Sequence, residues 1–123
     1  MKNVINWFEI PATKLDRAVK FYEAIFENTL KVEDMMGMKM AVFPHEQDGA
    51  SVGGALVQAE NYEPSTTGTL PYLNGGDDLN TILSRVEKAG GKVIMPKMQI
   101  GENGYIALFI DSEGNKIGLH SMN

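Results

Sequence analysis

The chain of 123 residues contains an internal repeat with an offset of 64 residues. Apolar residues recur at the spacing of one helix face from Leu15 to Phe26, and the same spacing returns from Leu79 to Ala89. The matched positions are Leu15 with Leu79, Ala18 with Ile82, Val19 with Leu83, Tyr22 with Val86 and Ile25 with Ala89. A duplicated helix restricts the chain to two similar units.

Short runs of aliphatic, β-branched and aromatic residues surround each helix, one before it and three after it. Turn-forming pairs such as Met36-Gly37 and Asp48-Gly49 separate them. The predicted strands are 4–10, 29–33, 38–43 and 52–58, then 70–74, 92–95, 105–110 and 116–121. We therefore predict one domain, residues 1–123. It comprises module one (3–58), a polar connector that serves as a linker or a lid (59–69), and module two (70–121).

Capping residues precede both helices in the sequence. Thr13 with Asp16 three residues later has the spacing of a capping box, and Asp77 stands 64 residues after Thr13. Gly90-Gly91 predicts the end of the second helix. We therefore expect two single helices, each capped by its own local side chain.

Composition excludes several classes of function. The chain has no Cys and only two His, which excludes disulfides, thiolate nucleophiles and zinc fingers. Its formal net charge of −5 disfavours nucleic acid and anionic membranes as partners. The amino-terminal apolar run is too short for a signal-peptide core, and no stretch reaches the roughly 18 apolar residues of a membrane span. We therefore expect a cytoplasmic protein.

Three segments resemble a known family: NWFEIPATKLDRAVKFYEAIF, YLNGGDDLNTILSRVEKAGGKVIMPK and GYIALFIDSEGNKIGLHS. They are similar to the vicinal oxygen chelate superfamily, which includes glyoxalase I, fosfomycin and bleomycin resistance proteins and ring-cleaving dioxygenases, and above all to the group related to lactoylglutathione lyase. The resemblance implies an α+β fold, in which two tandem βαβββ modules form a curved mixed β-sheet cup with two outer helices. It also implies a homodimer.

The resemblance further implies where a metal would bind. In metal-dependent members, His, Glu or Gln ligands come from the first and fourth strand of each module. Here those places fall on Trp7, Pro71, Gly118 and the run 53–55. None of these side chains coordinates a cation, so we expect neither a metal nor another cofactor at the usual site.

Strand periodicity places further side chains beside these positions, because residues two apart share a face. Glu9 accompanies Trp7 and His120 accompanies Gly118, with Tyr72 and Tyr105 as further cup candidates. Glu9 or His120 is a candidate general base or polar anchor, because desolvation in an apolar cup makes a carboxylate more basic. The alternative is that both are ordinary polar residues, hydrogen-bonded or solvated.

Methionines suggest what such a cup would bind. Core packing is the more common role for such methionines, but Met38 and Met40, together with Trp7, would suit a flat apolar or aromatic molecule. His45 lies in a polar stretch and is expected to be exposed. The leading hypothesis is metal-free binding of a small molecule. The alternatives are a lyase or isomerase that uses Glu9 and His120, and an interaction module that pairs with a second copy.

Overall fold

A computed structural model describes residues 3–46 and 51–123, so the predicted turn at Asp48-Gly49 lies outside the described residues. These residues contain eight strands, three α-helices and a 3₁₀ turn at Gly101–Asn103. In order they are β1 (Trp7–Pro11), α1 (Leu15–Phe26), β2 (Lys31–Met35), β3 (Met38–Val42), β4 (Gly53–Gln58), β5 (Tyr72–Asn74), α2 (Asn80–Leu83), α3 (Val86–Ala89), β6 (Lys92–Gln99), β7 (Tyr105–Ile110) and β8 (Lys116–Ser121).

The strands form two four-stranded sheets with the same internal order. In the first sheet the order is β1-β4-β3-β2, and in the second it is β5-β8-β7-β6. Each sheet has one parallel pair, β1 with β4 or β5 with β8, and the other pairs are antiparallel. This mixed α+β arrangement confirms the two tandem βαβββ modules predicted from the repeat.

A single hydrophobic core joins the two modules. The buried face of α1 carries the residues predicted from the helical period, among them Leu15, Tyr22 and Ile25. Phe21 packs its ring 4.9 Å from that of Tyr22 and 5.9 Å from that of Phe109 in the second sheet. Because α1 also contacts α2 and α3, the helices contribute to a core shared by both sheets.

The prediction of one continuous second helix is wrong, because the segment forms two short helices, α2 and α3. The backbone N–H of Arg85 donates to the carbonyl of Ile82, three residues back, which tightens the chain between them. The Arg85 guanidinium donates to the Ile25 carbonyl at 2.9 Å and lies 3.2 Å from a Glu27 carboxylate oxygen. A tertiary contact with the end of α1 therefore accompanies the break.

Both capping predictions are also wrong, since neither Thr13 nor Asp77 supplies a side-chain cap. Glu113, in the turn between β7 and β8, accepts hydrogen bonds from the backbone N–H groups of Thr13 at 2.9 Å and Lys14 at 2.8 Å. Gln58 accepts from the N–H of Leu15 at 2.7 Å. The orphan donors at the start of α1 are thus paired with side chains distant in sequence.

The same turn forms a second, buried link to module one. The Tyr22 hydroxyl donates to Asp111 Oδ2 at 2.7 Å, and the Asn115 side-chain amide donates to the carbonyl of Pro11 at 2.7 Å. Burial, followed by the charge and the hydrogen bond of Asp111, raises the pKa of Tyr22 well above its usual range. The phenol therefore stays a donor, and the turn is held against both β1 and α1.

Within the described residues, none of the helices has the length and apolar character needed to cross a membrane.

We predict that Glu113→Ala lowers the free energy of unfolding by about 1–3 kcal/mol, because it leaves two helix-start N–H groups without partners. The Glu113 side chain is 1% exposed and also pairs with Arg17 Nε at 2.6 Å. Urea unfolding of the variant and of Glu60→Ala, a change at an exposed residue, measures the effect. Equal losses in the two variants would contradict the prediction.

The stabilisation by Glu113 should also depend on pH. Burial raises the pKa of its carboxyl, but hydrogen bonds from Arg17, the Lys14 backbone and Ser112 outweigh burial and lower that pKa below its usual value. A carboxyl with a lowered folded pKa contributes stability above its unfolded pKa and loses it as pH falls through the folded value. The stability gap between the native chain and Glu113→Gln should therefore be full at neutral pH and shrink below about pH 4. A difference in unfolding free energy that stays constant as the pH is lowered would refute this pH dependence.

Candidate functional site

Equivalent positions in the two sheets pair an aromatic residue with a glycine. Trp7 lies opposite Gly53 in the β1–β4 pair, and Tyr72 lies opposite Gly118 in the β5–β8 pair. Partners in a parallel pair share a face, which here is the face turned away from the helices, called the distal face below. The register therefore places Tyr72, and not Pro71, beside Gly118 in the second module.

The rings cover the glycines closely. A Cβ atom on Gly118 would lie 2.5 Å from Tyr72 Cδ2, and one on Gly53 would lie 2.9 Å from Trp7 Cζ3. Both distances are shorter than real side chains tolerate, so each aromatic position depends on its glycine. The two rings thus fill the space beside these glycines on the distal face.

These residues do not fit the divalent metal that the sequence resemblance implies. Indole N–H only donates hydrogen bonds, glycine has no side chain, and a neutral phenol is a weak ligand compared with imidazole or carboxylate. In residues 3–46 and 51–123, no three His, Cys, Asp or Glu side chains gather in a way that could hold a metal ion.

Glu9 lies on the distal face of the first sheet, as strand periodicity predicts. Its two carboxylate oxygens accept hydrogen bonds from Trp7 Nε1 at 3.2 Å and from the Tyr62 hydroxyl at 2.8 Å. The hydrogen bond to the Glu9 carboxylate, with its charge, raises the pKa of Tyr62. Glu9 thus orients the indole and anchors the connector, and a role for it as a general base stays a prediction.

His120 and Tyr105 do not share a face. His120 lies on the distal face of the second sheet, where its Nε2 is 2.6 Å from the Asn103 carbonyl oxygen. Tyr105 lies on the opposite face, packed against the shared core, with Lys97 Nζ 4.5 Å from its ring centroid. Glu9 and His120 belong to different sheets, and no direct contact joins them.

Met38 and Met40 lie on the distal face of the first sheet. Met40 is buried with Ala55 and Val57, and Met38 packs at the edge of this small cluster. Tyr62 of the connector also packs on the cluster, so the connector covers part of this face. Tyr62 therefore already covers part of the surface that a ligand would contact, and ligand contact by these methionines stays a prediction.

The expectation of an exposed His45 is wrong, because the residue is half-buried. Its ring lies edge-on to Trp7, with ring centroids 6.0 Å apart and an interplanar angle of 79°. Its Nδ1 is 3.1 Å from the Phe43 carbonyl oxygen, which can only accept, so Nδ1 carries a hydrogen. The space left open by Gly53 admits this imidazole.

One cleft in the described part of the chain has a volume of about 960 Å³. It lies between the amino-terminal segment 3–5, the end of α1, the loop after β3 and the β5 strand. Its apolar wall includes Phe8, Phe26, Leu30, Phe43, Leu73 and Ile82. Tyr72, Asn74 and His45 add polar atoms. This volume lies in the upper part of the range for small-molecule sites, roughly 300–1,000 Å³.

Sequence reasoning identified Tyr72 but missed most of this cleft. Phe26 and Ile82 are recognisable in the sequence as apolar helix positions, but their spacing does not show that both line one cleft. Tyr62 and His45 lie in polar stretches and carried no periodic signal. Both are placed by contacts with β1 that no local pattern encodes.

Comparison with known proteins gives consistent matches. The family model described as "Glyoxalase/Bleomycin resistance protein/Dioxygenase superfamily" matches residues 4–119. A glyoxylase-like domain-containing protein of Didymella fabae is 31% identical over 115 residues, covering 90% of this chain and 88% of that protein. A Mycobacterium tuberculosis protein named as the glyoxylase CFP32 is 26% identical over 121 residues. The match covers 96% of this chain but only 45% of the mycobacterial protein.

Among solved structures, a glyoxylase/bleomycin resistance protein/dioxygenase domain from Frankia sp. EAN1pec superposes with a TM-score of 0.70 at 16% identity. The match covers 100% of this chain and 94% of that one. At this identity the likeness supports the fold alone.

We predict that Gly118→Ala displaces the Tyr72 ring and lowers the free energy of unfolding by about 1–2 kcal/mol, because the new methyl group enters space that the ring occupies. Urea unfolding measures the loss. In a Tyr72→Ala background the same substitution should cost under about 0.5 kcal/mol, since the clashing ring is gone. An undiminished cost in that background would show that the ring is not the cause.

Proposed function

This chain belongs to the glyoxalase/bleomycin resistance protein/dioxygenase superfamily, and on that premise we propose that it binds a small apolar or aromatic molecule without a divalent metal. The ligand occupies the cleft lined by Phe8, Phe26, Phe43, Ile82 and Tyr72. The single observation that carries the proposal is this cleft of about 960 Å³ with a mainly apolar wall.

The aromatic and glycine pairs support the metal-free part of the proposal. Trp7 and Tyr72 stand where the superfamily's ligands would come from the first strand of each module, and Gly53 and Gly118 stand opposite them. A substrate whose two adjacent oxygens bind a divalent cation would require metal-ligating side chains at these positions. Rings instead offer flat apolar surface, which favours dispersion and stacking contacts with an aromatic ligand.

The charge of the chain disfavours an anionic ligand. The formal net charge is −5, and Glu46 is the charged residue among the described residues that line the cleft. A carboxylate or phosphate ligand would meet repulsion there with no described Lys or Arg in the lining to offset it. The charge therefore argues against anionic ligands, and the mainly apolar wall favours an aromatic or apolar molecule.

We expect neutral aromatic compounds to raise the melting temperature in a thermal-shift screen, because a ligand that binds only the folded chain stabilises it by mass action. The screen is run with a chelator and again with added Mn²⁺ or Ni²⁺. The proposal predicts equal shifts in both conditions. A shift that requires the metal, or a metal-dependent rise without any compound, would overturn the metal-free proposal.

For a compound that binds, Tyr72→Ala should weaken the affinity about threefold to tenfold, the range expected for one aromatic contact. Ile94→Ala is the matched control, since Ile94 is 44% exposed against 45% for Tyr72 and lies outside the cleft lining. Isothermal titration calorimetry compares the variants. Equal affinities for both variants and the native chain would place the bound compound elsewhere.

A further inference from the structure

The imidazole of His45 is held in one orientation at the wall of the cleft. Its Nδ1 donates to the carbonyl of Phe43 at 3.1 Å, and its ring rests edge-on against Trp7. The indole is itself fixed, because Trp7 Nε1 donates to Glu9. Two contacts on different sides of the ring therefore determine which nitrogen is left for a ligand.

That nitrogen is Nε2, and in neutral imidazole it is a hydrogen-bond acceptor. With the hydrogen on Nδ1, the lone pair of Nε2 is free to accept. Nε2 lies 3.0 Å from the place where a Cβ of residue 53 would stand, so the imidazole can adopt this position only because residue 53 is glycine. No hydrogen bond to Nε2 occurs among the residues that the structure describes.

Two other polar groups near the cleft are already engaged. The Asn74 side-chain oxygen accepts from the backbone N–H of Gly76 at 2.8 Å, and the indole N–H of Trp7 is occupied by Glu9. His45 Nε2 is thus an acceptor of fixed direction in a mainly apolar wall. Such an acceptor discriminates between ligands that carry a hydrogen-bond donor and those that do not.

We infer that His45 selects the ligand of this cleft by accepting a hydrogen bond at Nε2, so that the preferred class is an aromatic molecule with an O–H group, such as a phenol. This inference rests on the proposed function. His45 binds the ligand and takes part in no covalent step. The loop after β3, and not the first or last strand, then determines which ligand is preferred.

The test compares 2-naphthol with 2-methoxynaphthalene, which has the same rings but no O–H donor. Titration calorimetry of both compounds in the same buffer measures the two affinities. The native chain should bind 2-naphthol about threefold to tenfold more tightly, the value of one net hydrogen bond. His45→Phe keeps an aromatic ring against Trp7 and should abolish this preference.

His120→Phe is the matched control, because His120 is the other histidine of the chain and lies outside the cleft lining. It should keep the full preference for 2-naphthol. Equal binding of the two compounds by the native chain, or a preference that survives in His45→Phe, overturns the role of His45 and leaves the proposed function standing. Failure of both compounds to bind overturns the proposed function and this inference together. Melting curves of both variants confirm that they are folded.

Discussion

The structure depends on the turn between β7 and β8, which belongs to module two but completes module one. Glu113 pairs the first backbone N–H groups of α1, and Asp111 accepts from the buried Tyr22 hydroxyl. The Tyr22 hydroxyl is fully buried, and a buried donor without an acceptor is costly. Because the helix start is completed by a residue about a hundred positions away, neither module has all its polar groups satisfied alone, and the shared core holds the two sheets in one arrangement.

That arrangement gives the two faces of each sheet different roles. The helix-facing side is buried in the common core, whereas the distal face carries Trp7 and Tyr72, each over its own glycine. Glycine is required there because the ring occupies the volume of a Cβ. The distal face of each sheet therefore presents an aromatic ring beside a glycine, a surface suited to apolar contact.

Much of the fold could be read from the sequence, since α1 and the eight strands follow from periodicity and turn residues. The predictions failed where a distant contact overrode local pattern. Thr13 has capping spacing, yet Glu113 is the acceptor that reaches the helix start. The second helix has an unbroken apolar period, yet it divides where Arg85 turns to the carbonyl of Ile25. Local signals do not include such competitors, because these become neighbours only after the modules pack.

The candidate site likewise combines features that the sequence predicts with features that only packing determines. The sequence alone determined the duplicated architecture and the shared face of Trp7 and Glu9, because residue type and the two-residue period of a strand are local properties. Only the tertiary structure decided that Tyr72 faces Gly118, that Tyr105 turns to the core, and that His45 lies against Trp7 beside a cleft. Cleft shape and side-chain neighbours arise from the packing of segments far apart in the chain, and no local pattern contains that information.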